Sequence, residues 1–112
     1  MKIGLIGSGA IGSYLKEKIS EDSSLELIGI LDIDKTKTTV NSIDELLEKQ
    51  PDLVVEAAGF EAVKENAEKV LSKTNFLIMS VSALAEKEVE EKINSLCKEH
   101  KTKFFVPIGA IL

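Results

Sequence analysis

A repeated switch in hydrophobic period constrains this chain more than any other feature. Short apolar runs alternate with segments whose apolar residues recur every three or four positions. A short apolar run bounded by turn residues suits a strand buried on both faces, and the longer period suits one face of a helix. Residues 2–6, 25–31, 52–58, 75–80 and 103–107 read as strands. Between them, 10–21 carries Ile11, Leu15 and Ile19 on one face, and 61–73 carries Val63, Ala67, Val70 and Leu71. Ser42 and Glu45 form a capping-box pattern that opens a helix with Ile43, Leu46 and Leu47 inward, and Pro51 stops it. A charged helix over about 84–101 turns Val89, Ile93, Leu96 and Cys97 inward. The β-branched residues at 38–40 suggest a brief edge strand. Alternation of this kind specifies an α/β fold, a doubly wound parallel sheet with helices on both faces. With the edge strand counted, the expected sheet has six strands in the order 3-2-1-4-5-6, a Rossmann arrangement in a single domain over residues 1–112. Such sheets bind ligands at the carboxyl ends of their strands, next to the point where strand order reverses.

One motif falls at that point. Gly7-Ser8-Gly9-Ala10-Ile11-Gly12 follows the first strand and opens the first helix, the context that a G-x-G-x-x-G fingerprint demands. Gly7 permits the tight turn, Gly9 lets the backbone approach a pyrophosphate, and Gly12 lets helix and strand pack closely. The helix start then offers free N–H groups and the positive end of the helix dipole to an anion. Asp32 stands 20 residues after Gly12, just past the second strand. A carboxylate there accepts hydrogen bonds from the adenosine ribose and repels a 2′-phosphate, which favours NAD over NADP. Lys35 and Lys37 stand nearby and could supply charge for NADP.

Composition narrows the other classes. The 112 residues carry 19 acidic and 14 basic side chains, a net charge of −5, and every basic residue is lysine. A nucleic-acid binder shows the opposite balance, and arginine is the side chain best suited to bidentate phosphate capture. No apolar run approaches the length of a membrane-spanning helix. A single cysteine, no signal-peptide pattern and ordinary globular composition lead to a cytoplasmic expectation.

Pro51-Asp52-Leu53-Val54-Val55-Glu56-Ala57-Ala58 and Ala62-Val63-Lys64-Glu65 resemble the PDLVVEAAS segment and the AVKEY helix start of a known family, the L-aspartate dehydrogenases, whose cofactor domain is related to that of homoserine dehydrogenases. Met79-Ser80-Val81-Ser82-Ala83-Leu84-Ala85 resembles S-x-[GS]-A-[LF]-A-D, and Pro107-Ile108-Gly109-Ala110-Ile111 resembles PSGAIGGLD. Ile108 stands where the family has serine, and Leu112 where the GGLD continuation begins. The resemblance implies oxidation of L-aspartate to iminoaspartate with NAD or NADP. It implies that the glycine loop holds the pyrophosphate and Asp32 the adenosine ribose. Ala57 and Ala58 would end a strand at the cofactor edge, with Ser80, Ser82 and Ala110 near the nicotinamide. The family's catalytic histidine and substrate site belong to a second domain, which is expected to be absent here, so no catalytic residue is assigned within the chain. An apolar PIGAIL terminus would meet that domain, which leads to the expectation of a homo-oligomer or an exposed patch. Two alternatives remain: a non-catalytic module that binds or senses a dinucleotide, and a homoserine-dehydrogenase-like cofactor domain.

Other chemistry-bearing residues have plainer readings. His100, the only histidine, suits a helix C-terminus away from the ligand edge, and Cys97 suits core packing. No spacing of His, Cys and carboxylates matches a metal site. The acids Glu86, Glu88, Glu90 and Glu91 suit the start of a helix. Glu56, inside an apolar strand, needs a partner: a lysine, a helix N-terminus or a ligand.

Overall fold

The structure is a computed structural model and describes residues 1–107. Strand β1 (Lys2–Ile6) is an interior strand of the sheet and is buried after Lys2. The chain continues through α1 (Ala10–Glu21), β2 (Glu26–Leu31), α2 (Ile43–Glu48), β3 (Leu53–Glu56) and α3 (Phe60–Leu71). It ends with β4 (Asn75–Ile78), a 3₁₀ turn (Val81–Ala85), α4 (Lys87–His100) and β5 (Phe104–Phe105). All pairings are parallel and the order is β2-β1-β3-β4-β5. Every described strand therefore ends at the same edge.

The sheet has five strands where six were expected, and the difference is the segment 38–40. Ile30 N donates to Thr39 Oγ1 at 2.8 Å and Asp32 N to Thr38 Oγ1 at 3.1 Å. Thr39 N and Val40 N both donate to the Ile30 carbonyl, at 2.8 and 3.3 Å. Threonine hydroxyls take the place of main-chain carbonyls along the outer edge of β2, so no regular ladder forms. Without that strand, the order is the expected one.

Two layers of apolar side chains hold the sheet. On one face Leu46, Val54, Val63, Val70, Phe76, Ile78 and Ile93 join α2, α3 and α4 to the strands. Leu46 fits because Gly4 and Gly29 leave room: a Cβ at either would lie 3.1 or 2.8 Å from its methyl groups. On the other face Ile19 and Leu15 of α1 cover Ile3, Leu5, Ile30 and Val55. Among the described residues α1 is the one helix in this second layer, and Leu53, Leu77 and Met79 stay half-buried there. Phe105 is 47% exposed.

Local chemistry sets the helix ends. Ser42 Oγ accepts from Glu45 N at 3.1 Å. Glu45 Oε2 accepts from Asn41 N at 2.8 Å, one residue before the cap rather than at the cap itself. The last helix begins at Lys87 rather than near 84. Val81 N and Ala83 N close tight turns onto Met79 O and Ser80 O, which bury Ala83, and Glu86 is extended before α4 starts. The last strand is two residues long where five were expected.

Candidate functional site

At the carboxyl edge of the strands the β1–α1 turn passes beside the ends of β2 and β3. Gly7 has φ +89°, and a Cβ there would lie 2.8 Å from both the Ala57 carbonyl oxygen and Ala58 Cβ. A Cβ at Gly12 would lie 2.5 Å from the Gly7 carbonyl oxygen. Both glycines are thus required by the protein's own packing. Gly9 is not: a Cβ there meets nothing within 4 Å. Its backbone borders open space, at the N-cap of a 12-residue helix with no side-chain cap. The first-turn amides of α1 therefore face outward with the positive end of the helix dipole, an arrangement suited to a phosphate.

Asp32 follows β2 and is tied back to this turn. Its Oδ2 accepts from Ser8 N at 2.8 Å and Ser8 Oγ at 2.5 Å, and its Oδ1 accepts from Asp34 N at 2.8 Å. The Ser8 hydroxyl, then the Asp34 amide, hold its carboxyl below the usual aspartate range despite partial burial. A carboxylate held ionised beside an anion-accepting helix start can accept from a ligand's hydroxyls while the helix takes its phosphate.

A crevice of about 590 Å³ opens between these parts. Of the predicted site residues, Gly7, Ser8, Gly9, Asp32, Ala57 and Ala58 line it. Ala10, Ile11 and Gly12 form the first turn of α1 without lining it, and Ile11 is 53% exposed. Ser80 and Ser82 lie outside the crevice, after β4. Ala110 falls outside the described residues.

The crevice also takes in Lys35, which the sequence placed near Asp32, and residues that went unannounced: Ile33, Asn41, Glu61, Glu65 and Asn66. Two left a signal. Ile33 is an isoleucine within the polar DIDKTK turn and is 99% exposed. Asn66 is a polar residue on the inward face of α3, buried beside Val63 and Ala67, with its Nδ2 donating to Ala62 O at 2.8 Å. Glu61 and Glu65 carry no such mark, because exposed acids are common on any helix. With Asp32 they make the described lining acidic, with Lys35 as its one cation.

The remaining candidates lie elsewhere. His100 ends α4, 3.1 Å from Glu99 Oε2, at the edge opposite the glycine turn. Cys97 packs against the larger core layer, and burial pushes its thiol up. Among the described residues no three His, Cys, Asp or Glu side chains gather as a metal site. Nor is any described helix long and apolar enough to cross a membrane. A second depression, about 420 Å³ between Lys2, Pro51, Asp52 and Lys73, lies at the amino ends of the strands.

The chain is similar to known proteins over nearly its whole length. Residues 7–107 match the family model described as the homoserine dehydrogenase NAD-binding domain. The chain is 38% identical to an L-aspartate dehydrogenase of Methanocaldococcus jannaschii, with 99% of this chain and 46% of that one aligned. It is 35% identical to an L-aspartate dehydrogenase of Archaeoglobus fulgidus, over 99% of this chain and 48% of that one. The chain thus spans about half the length of the curated relatives it matches. A solved structure of aspartate dehydrogenase from Thermotoga maritima superposes with a TM-score of 0.67 at 27% identity, covering 96% of this chain and 45% of that one.

Proposed function

The chain belongs to the family of homoserine dehydrogenase NAD-binding domains, and on that footing we propose that it is the cofactor-holding half of an aspartate-dehydrogenase-like oxidoreductase. The observation that carries the reading is Gly9. Packing accounts for Gly7 and Gly12, whereas nothing among the described residues requires a glycine at 9. A ligand's phosphate against the backbone does.

In this reading the first turn of α1 takes the pyrophosphate and Asp32 accepts from the adenosine ribose. Ile33 and Ala62 offer apolar contact to the adenine, and Ser80, Ser82 and Ala110 belong to the nicotinamide side. Asp32, Glu61 and Glu65 disfavour a 2′-phosphate, so NAD is the preferred cofactor; Lys35 leaves NADP as a weaker ligand. When bound, the nicotinamide supplies the hydride acceptor. The chain's own residues bind and orient it. The substrate, L-aspartate by likeness to the named relatives, is held by polypeptide beyond these 112 residues. That polypeptide, or a second copy in a homo-oligomer, would cover Leu53, Leu77, Met79 and Phe105 on the less covered sheet face. A cytoplasmic location with no nucleic-acid or membrane partner completes the reading.

The test is aspartate-dependent NADH formation, measured with this chain alone and with the remaining half of a relative supplied in trans. Turnover that requires both halves supports the reading. NAD binding without turnover in either mixture favours a non-catalytic dinucleotide module, consistent with His100 lying at the far edge.

A further inference from the structure

Glu56 is fully buried at the end of β3, with 0% of its surface exposed. Its partners are not lysines. Oε2 accepts from Ala58 N at 2.8 Å, Gly59 N at 2.7 Å and Ser80 Oγ at 2.7 Å, and Oε1 accepts from Ser80 N at 2.9 Å. Three of the four donors are main-chain amides, which can only donate, so both oxygens must accept. One side chain thereby fixes the turns that follow two neighbouring strands. It also sets a wall of the crevice. Ala57 and Ala58 line that crevice, and the Gly7 backbone runs against them with no room for a Cβ.

Glu56 also braces the approach to α3. It bonds the cap amide of that 12-residue helix, Gly59 N, and the amide before it, Ala58 N.

We propose that Glu56 is a positioning residue for the dinucleotide. It locks the Ala58 wall, the Gly59 turn and Ser80 into one geometry. This rests on the dinucleotide-binding reading above.

Glu56→Gln tests it, because the shape is kept while an NH₂ must face one of the amide donors. The probes are NAD and ADP-ribose, which lacks the nicotinamide, titrated by calorimetry, with amide spectra and circular dichroism as controls. The expected result is a folded protein that binds both probes at least tenfold more weakly. The second variant is Ser80→Ala, which leaves the carboxylate and three amides in place. It should shift the Ala58 and Gly59 amide resonances, more than 20 residues away in sequence, and weaken ADP-ribose at least twofold. If Glu56→Gln does not fold, Ser80→Ala decides alone. Unchanged affinities in a folded Glu56→Gln, even with a lower melting temperature, overturn the proposal, as do unmoved Ala58 and Gly59 amides in Ser80→Ala. Absence of binding in the wild-type protein overturns instead the dinucleotide reading beneath it.

Discussion

The amide and the hydroxyl of Ser8 converge on a single oxygen of Asp32, Oδ2, at 2.8 and 2.5 Å. The residue inside the glycine turn therefore holds the carboxylate that ends β2. In the proposed reading, this one contact sets phosphate loop and ribose acceptor relative to each other before any ligand arrives. Ser8→Ala keeps the amide bond and removes the hydroxyl. We expect a loss of about 1 kcal/mol in urea denaturation, with NAD affinity falling several-fold as Asp32 gains freedom. Equal NAD affinity in the variant would show that the carboxylate needs no such support.

The Asp32 carboxyl is held down in the folded state, and this fixes the sign of its pH dependence. A depressed folded-state value adds stability above the unfolded value, and that stability is lost as pH falls through the folded one. Asp22 and Asp34 are lowered too, by Ser24 and Thr36, so the wild-type curve alone does not isolate Asp32. The comparison with Asp32→Asn does. The stability gap between the two proteins should be constant from about pH 7 to 5 and narrow below about pH 4. A gap that opens on acidification would contradict the assignment.

Two of the loop glycines, Gly12 and Gly9, should separate by kind of damage. Gly12→Ala places a Cβ 2.5 Å from the Gly7 carbonyl oxygen, and should cost about 2 kcal/mol of stability. Gly9→Val meets no neighbouring atom at its Cβ, and should melt near the wild-type temperature while NAD binding is lost. Thermal melts paired with titrations check both. A Gly9→Val protein that binds normally would remove the main support for a phosphate at this turn.

Cys97 is half-buried, and burial raises its thiol above the ordinary value. Little thiolate forms at neutral pH, and the thiolate is the reactive species. Labelling with a thiol reagent at pH 7.5 should be at least tenfold slower in the folded protein than in urea. Equally fast labelling would place Cys97 in a more open setting.

Much of this was legible in the sequence because period and punctuation agree. The glycine turn, four helices and the strand order follow from apolar spacing closed by Gly or Pro. Thr38 and Thr39 misled, since β-branched residues favour strands, yet their hydroxyls bond the β2 backbone in place of a ladder. The 81–85 turn was hidden because its alanines and leucine suit a helix equally well, and the short-range bonds onto Met79 and Ser80 decide the matter. Glu56 announced that it needed a partner but not which one. Three amides and a hydroxyl from two turns meet only once β3 and β4 are paired. The outer crevice wall, Glu61 and Glu65, depends on how α3 lies against the glycine turn, which one-dimensional spacing does not encode.

Titration calorimetry of the purified chain with NAD, set beside Asp32→Ala, tests the central claim most directly. The account predicts micromolar-to-millimolar binding, corresponding to roughly 4–8 kcal/mol, that is weaker for NADP and lost in the variant. Binding of neither dinucleotide by the folded wild-type chain, or equal NAD binding by Asp32→Ala, would contradict it.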